Sequence, residues 1–231
     1  MPLTIIRDPE AFMLPKLPRC LLALLAALPL AAQPDSSGVK YGRVYVSGEN
    51  PVIRLLPAAG ATPTTDASFW RVVYSPVGMG HVLFLRSGIA PDNPSSPPTI
   101  RIAFTDNEKL AEYLGKEIMS AFNKAYADDP FPIRKATFTK SGNTLTEWKE
   151  TVKSDQYTVE LVWRDFAEPF QLDTPSGGKT NPYGITSFFI PARSADVIIN
   201  GKKAEGRAFP TKRGRMENST AFLAFSETWV R

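Results

Sequence analysis

Hydrophobic and polar positions along this chain alternate far more often than they follow a helical period. Short runs such as "GRVYVSG", "PVIRLLP", "FWRVVYS", "HVLFLRS" and "TIRIAFT" occupy the first half, separated by proline, glycine and serine. The second half continues with "RKATFTK", "TEWKETV", "YTVELVW", "ITSFFIP", "ADVII" and "STAFLAFSETWV". Two-residue alternation bounded by turn residues predicts strands with one face toward a core. In "YTVELVW", Tyr157, Val159, Leu161 and Trp163 fall on one face. Asn200-Gly201 follows "ADVII" and predicts a tight hairpin, because a type I′ turn needs positive φ at both central positions.

One segment breaks the pattern. From about residue 105 to 127, "TDNEKLAEYLGKEIMSAFNKAYA" carries Leu110, Leu114, Ile118 and Phe122 four residues apart, with alanines widening the stripe. Thr105 with Glu108 has the spacing of a capping box, Glu112 with Lys116 that of an i,i+4 ion pair, and Pro130 and Pro132 stop the helix. The expected fold is therefore mainly β: an antiparallel barrel or sandwich with one central amphipathic helix that plugs or flanks it.

The N-terminus reads differently. Lys16 and Arg19 precede the apolar run "LLALLAALPLAA" (Leu21–Ala32), and "QPDSSG" follows. Charge, then a short apolar stretch, then small residues is the order of an export signal. The run is shorter than the roughly 20 residues that span a bilayer. Met13 starts a more typical leader, so residues 1–12 read as an over-extended start. The expectation is a signal peptide over residues 1–32 and one β-rich domain over 33–231, exported to the periplasm or the extracellular space, with no transmembrane segment in the mature chain.

Loss of the leader changes the chemistry available. Cys20, the single cysteine, goes with it, which leaves no thiolate nucleophile, disulfide or cysteine-bound metal. The formal charge falls from +4 to +3, because the leader carries three basic residues and two acidic ones. His81 is the single histidine, so no histidine-rich metal site is expected, and no metal or cofactor is assigned. "SGGKT" (176–180) lacks the upstream glycine of a phosphate loop, having Asp173 there, and reads as a mobile connection. The basic stretch around Lys202, Lys203 and Arg207 lacks the interleaved aromatics of a nucleic-acid surface; an anionic envelope surface is the expected partner if it has one.

Candidate site residues follow from side chains on apolar faces. Glu227 alternates with Leu223, Phe225 and Trp229, where a carboxylate is costly unless it meets solvent, an arginine such as Arg71 or Arg164, or a cavity. Glu227, His81 and Tyr183 are the candidate catalytic groups, and Tyr157, Trp163 and Trp229 the candidate ligand-binding aromatics. The leading expectation is a protein that binds a small lipophilic ligand. An acid–base enzyme of isomerase, cyclase or hydratase type and a cell-envelope interaction module stand as alternatives. Expression with export should yield a mature chain that begins at Gln33 and does not react with thiol reagents. N-terminal sequencing of the exported form checks this, and a retained Cys20 contradicts it.

Overall fold

The computed structural model describes residues 43–88, 99–175 and 183–230. The expected leader, Cys20 and "SGGKT" lie outside these residues. Strands dominate. The first half holds β1 (Arg43–Glu49), β2 (Val52–Leu55), β3 (Thr65–Tyr74), β4 (Gly80–Ser87) and β5 (Ile100–Thr105). A helical segment follows: α1 (Glu108–Tyr113), a π-helical stretch (Leu114–Met119), α2 (Ser120–Phe122) and the separate short α3 (Ala125–Asp128). The chain then forms β6 (Ile133–Lys135), β7 (Thr137–Gly142), β8 (Glu147–Lys153), β9 (Thr158–Phe166), β10 (Phe170–Thr174) and β11 (Gly184–Ile199). Last come β12 (Lys202–Lys203), β13 (Pro210–Arg213), β14 (Met216–Ser219) and β15 (Ala221–Val230). Among the described residues no helix is long and apolar enough to cross a membrane.

The main sheet runs in the order β6-β5-β4-β3-β1-β15-β11-β9-β8-β7. Its two ends are one strand, since only Ala136 separates β6 from β7. Ala136 N–H donates to Thr105 O of β5, and Asn143 N–H donates to Glu147 O of β8. Even and odd positions of an extended strand aim their amides to opposite sides. β5 and β8 therefore flank this strand, and the ladder closes into a ring. The ten strands along the path become nine staves, with β1 and β2 sharing the stave between β15 and β3. Strands that alternate in direction close an odd ring only through one parallel contact. That contact is Ala103–Thr105 against Ile133–Lys135. A parallel pair needs a long crossover, usually helical, and this is why the helical segment lies in the middle of the chain.

The lumen is packed. Trp163, Phe69, Phe104, Leu83, Leu85 and Leu161 are fully buried there, joined by Ile53, Leu55, Val197 and Leu223. The helix flanks the ring and does not plug it. Leu110, Ala111, Leu114 and Ile118 cover Val46, Trp70, Val72, Val82 and Phe84 on the outer face. A third cluster, Val52, Phe170, Phe189, Phe222 and Ala224, lies under β10.

Several sequence expectations change in detail. The N-cap is Asn107, whose side chain accepts from Leu110 N–H, and not Thr105. Thr105 Oγ instead donates toward His81 O at 2.7 Å, which ties the helix start to β4. A stripe spaced by four residues outruns the 3.6-residue α-helical turn, and the wider π-helical turn at Leu114–Met119 keeps Leu114 and Ile118 on the buried side. The side chain of Phe122 lies outside the described residues. Lys116 lies 3.8 Å from Glu117, so the expected pairing with Glu112 is replaced. "ITSFFIP" and "ADVII" are one strand, β11, and not two. Asn200 and Gly201 take φ of 49° and 78°, as the hairpin requires.

Gly48 sits at a register shift between β1 and β3, where a Cβ would stand 2.1 Å from the backbone oxygen of Arg71. No rotamer relieves a clash with backbone. Gly48→Ala is expected to destabilise the fold by about 2–3 kcal/mol, read as a lowered urea midpoint at unchanged slope.

Candidate functional site

The side chains singled out in the sequence separate into three environments. Glu227 is exposed. Its face of β15 is apolar through Ala221, Leu223 and Phe225, and then leaves the packed lumen beside Ser47 and Thr186. Of the outcomes open in the sequence, a rim carboxylate is the one found. The two arginines considered for it are engaged elsewhere. Arg164 pairs with Glu147 at 2.6 Å and Asp196 at 2.8 Å, and Arg71 serves a different glutamate.

That glutamate is Glu150, with no exposed surface. β8 alternates Trp148, Glu150 and Val152 inward, so the register of "EWKETV" carries a carboxylate into the lumen. Arg71 Nη2 donates to Glu150 Oε2 at 2.7 Å, and Trp148 Nε1 donates to Glu150 Oε1 at 2.9 Å. Arg71 Nη1 pairs with Glu49, its register neighbour on β1, and Lys140 Nζ reaches Glu49 at 3.1 Å. Burial pushes the Glu150 carboxyl up from its ordinary range, against the lowering pull of Arg71 and the Trp148 hydrogen bond.

His81 completes the cluster. Arg71 Nε donates to His81 Nε2 at 3.1 Å, which makes Nε2 an acceptor and places the ring proton on Nδ1. Nδ1 then donates to Asp106 Oδ2 at 2.6 Å, while Asp106 Oδ1 accepts from His81 N–H at 2.7 Å. The ring stacks on Phe138 with centroids 5.0 Å apart. His81 thus lies on the inward face with Leu83 and Leu85, at the mouth of the lumen. The cluster opens to an outer groove of about 970 Å³ that also exposes Met79 and Val73. Both ring nitrogens of His81, all three guanidinium nitrogens of Arg71 and both carboxylate oxygens of Glu150 have partners inside the protein.

Tyr183 belongs to neither place. It is buried in the outer layer beneath the helix, stacked on Tyr45 at 5.4 Å. Burial first, with Tyr45 and Glu117 nearby, pushes its phenol up. It does not join His81 or Glu227 in one cluster. Trp163 is lumen core, its Nε1 donating to Val52 O at 3.0 Å. Tyr157 packs partly on that core against Phe104. The side chain of Trp229 lies outside the described residues. Lys203 is held by Asp196 at 2.6 Å, and the Arg207 guanidinium lies 4.6 Å from the Phe209 ring centre. Among the described residues, no group of three potential metal ligands comes together.

The sequence reading did not anticipate the space between helix and barrel. A cavity of about 460 Å³ is walled by Phe84, Ala103, Ala111, Gly115, Tyr126 and Phe131, with Glu112 and Lys116 at its edge. Arg101 lies over the Phe131 ring at 4.2 Å and Arg86 at 5.1 Å, in cation–π contact with it. Gly115 in the otherwise bulky stripe is the sequence signal that was available for it. No family model matches the chain, and no curated protein or solved structure matches it.

Removing Arg71 leaves a buried, unpaired carboxylate. Arg71→Met is expected to cost about 3–5 kcal/mol near neutral pH. The folded-state pKa of Glu150 lies above the unfolded value of about 4.3. The folded state therefore holds that proton more tightly, a contribution fully present below the unfolded pKa and lost as pH rises through the folded one. The penalty of Arg71→Met should accordingly shrink near about pH 4.5, where a protonated Glu150 no longer needs the cation. Urea unfolding at both pH values checks it, and a penalty independent of pH contradicts it.

Proposed function

We propose that this protein is an exported binder of a small apolar ligand, held in the 460 Å³ cavity between the helix and the barrel. The observation that carries the reading is the cavity itself. Its volume falls in the usual range of small-molecule sites, about 300–1,000 Å³, and its walls are aromatic and aliphatic with charge only at the edge. The leader read from residues 1–32 supports the exported setting. The lumen offers no comparable room, because tryptophan, phenylalanine and leucine fill it.

The acid–base reading has less support. Glu227 is exposed, Tyr183 is buried in another layer, and both ring nitrogens of His81 are engaged by Arg71 and Asp106. A general base needs a free lone pair within reach of its substrate's proton. An envelope-binding role for the basic hairpin also has less support, since Lys203 and Arg207 have intramolecular partners.

Gly115 separates binding from folding. A Cβ there would meet Phe84 at an ordinary 3.9 Å, so a larger side chain grows into the cavity without backbone clash. Glycine in a helix interior costs about 1 kcal/mol relative to a good helix former. Gly115→Leu is therefore expected to hold or raise stability while weakening a neutral probe such as N-phenyl-1-naphthylamine at least tenfold. Fluorescence titration measures it, and unchanged probe affinity in a well-folded variant overturns the assignment.

A further inference from the structure

A second cavity, of about 240 Å³, lies on the outer face where β2, β3, β11 and β15 meet β10. Val52, Phe189 and Phe222 give it an apolar wall, and Met119 reaches it from the end of the π-helical stretch. Its polar groups are unlike those at the mouth of the lumen. Trp70 is buried, and its Nε1–H has no hydrogen-bond partner. Arg213 lies over the rings of Phe189 and Phe222, at 4.6 and 5.2 Å, with no carboxylate in ion-pair reach among the described residues. Burial lowers its pKa, and the nearby cation Arg54 lowers it further. Arg54, itself half-exposed, has a long contact, 3.4 Å, to Asp66. One cation without a carboxylate partner and an orphan indole donor thus line one apolar pocket, with Arg54 beside them. A buried donor left unsatisfied is costly, and beside an unpaired guanidinium an anionic acceptor suits it best.

We propose that this cavity binds a single-chain carboxylate. Its head group accepts from Arg213, Arg54 and Trp70 Nε1, and its hydrocarbon chain lies against Val52, Phe189, Phe222 and Met119. The volume lies below the usual range for drug-sized ligands, which selects a short to medium chain. A guanidinium fork suits a carboxylate's two oxygens, and removal from water strengthens the contact. This site is distinct from the neutral cavity beneath the helix and does not depend on it.

Indole N–H resonances of the full, ¹⁵N-labelled chain provide the test, with titration by decanoate, decyl phosphate and decanol. The Trp70 signal, assigned with Trp70→Phe, should move downfield saturably with decanoate as it gains an acceptor. The Trp148 and Trp163 signals should stay, because Glu150 and Val52 O already hold those donors. Decanol should bind at least tenfold more weakly. Arg213→Gln should lower decanoate affinity at least tenfold and leave N-phenyl-1-naphthylamine binding beneath the helix unchanged. Equal affinity for decanol and decanoate, or a silent Trp70 resonance at saturation, overturns the proposal. Tighter binding of decyl phosphate overturns the carboxylate assignment. Should Arg213→Gln fail to fold, the wild-type Trp70 shift and the decanol comparison decide the matter alone.

Discussion

Closure of the strand ladder through a single chain segment governs the rest of this molecule. Because β6 and β7 are one strand with β5 on one side and β8 on the other, the sheet has no free edge at that seam. An odd number of staves forces one parallel contact, and the parallel contact forces a crossover. The crossover is the amphipathic helical segment, and its apolar stripe must be buried somewhere. A ring of this size leaves just enough interior for side chains, and here they fill it. The helix therefore packs outside, and the two apolar cavities described lie between the barrel and the elements laid over it.

Two polar clusters illustrate how satisfaction separates structural from receptive sites. At the mouth, Arg71 spends its guanidinium on His81, Glu49 and Glu150, and each acceptor has its donor. Such a network fixes register, since only one alignment of β1, β3 and β8 brings Glu49, Arg71 and Glu150 together. Gly48 serves the same end by letting β1 approach the backbone of Arg71. Under β10 the balance is reversed: Trp70 offers a donor that the protein does not match, and Arg213 has no carboxylate partner among the described residues. A cluster closed on itself is architecture. A cluster short of acceptors is an invitation.

The contrast between Glu227 and Glu150 shows how far the pattern of residues could be read. Both alternate with large apolar neighbours, and local pattern alone cannot rank them. Glu227 comes where β15 outruns the lumen, whereas Glu150 comes in the middle of β8, opposite Leu161 and across from Arg71. How far each strand extends past its neighbours is fixed by pairing, and pairing is non-local. The same holds for Asn107 against Thr105. Either suits an N-cap, but the Thr105 hydroxyl is drawn away by the carbonyl of His81.

What the sequence by itself determined is the set of elements: the alternating runs that became strands, the Asn200-Gly201 hairpin, and the one amphipathic helical stripe. These are local consequences of backbone sterics and amphipathic period. Only the tertiary structure decided that the strands close into a ring, that the helix lies outside it, and which buried polar groups find partners. Those outcomes depend on which distant segments lie side by side, and no single segment's composition encodes that.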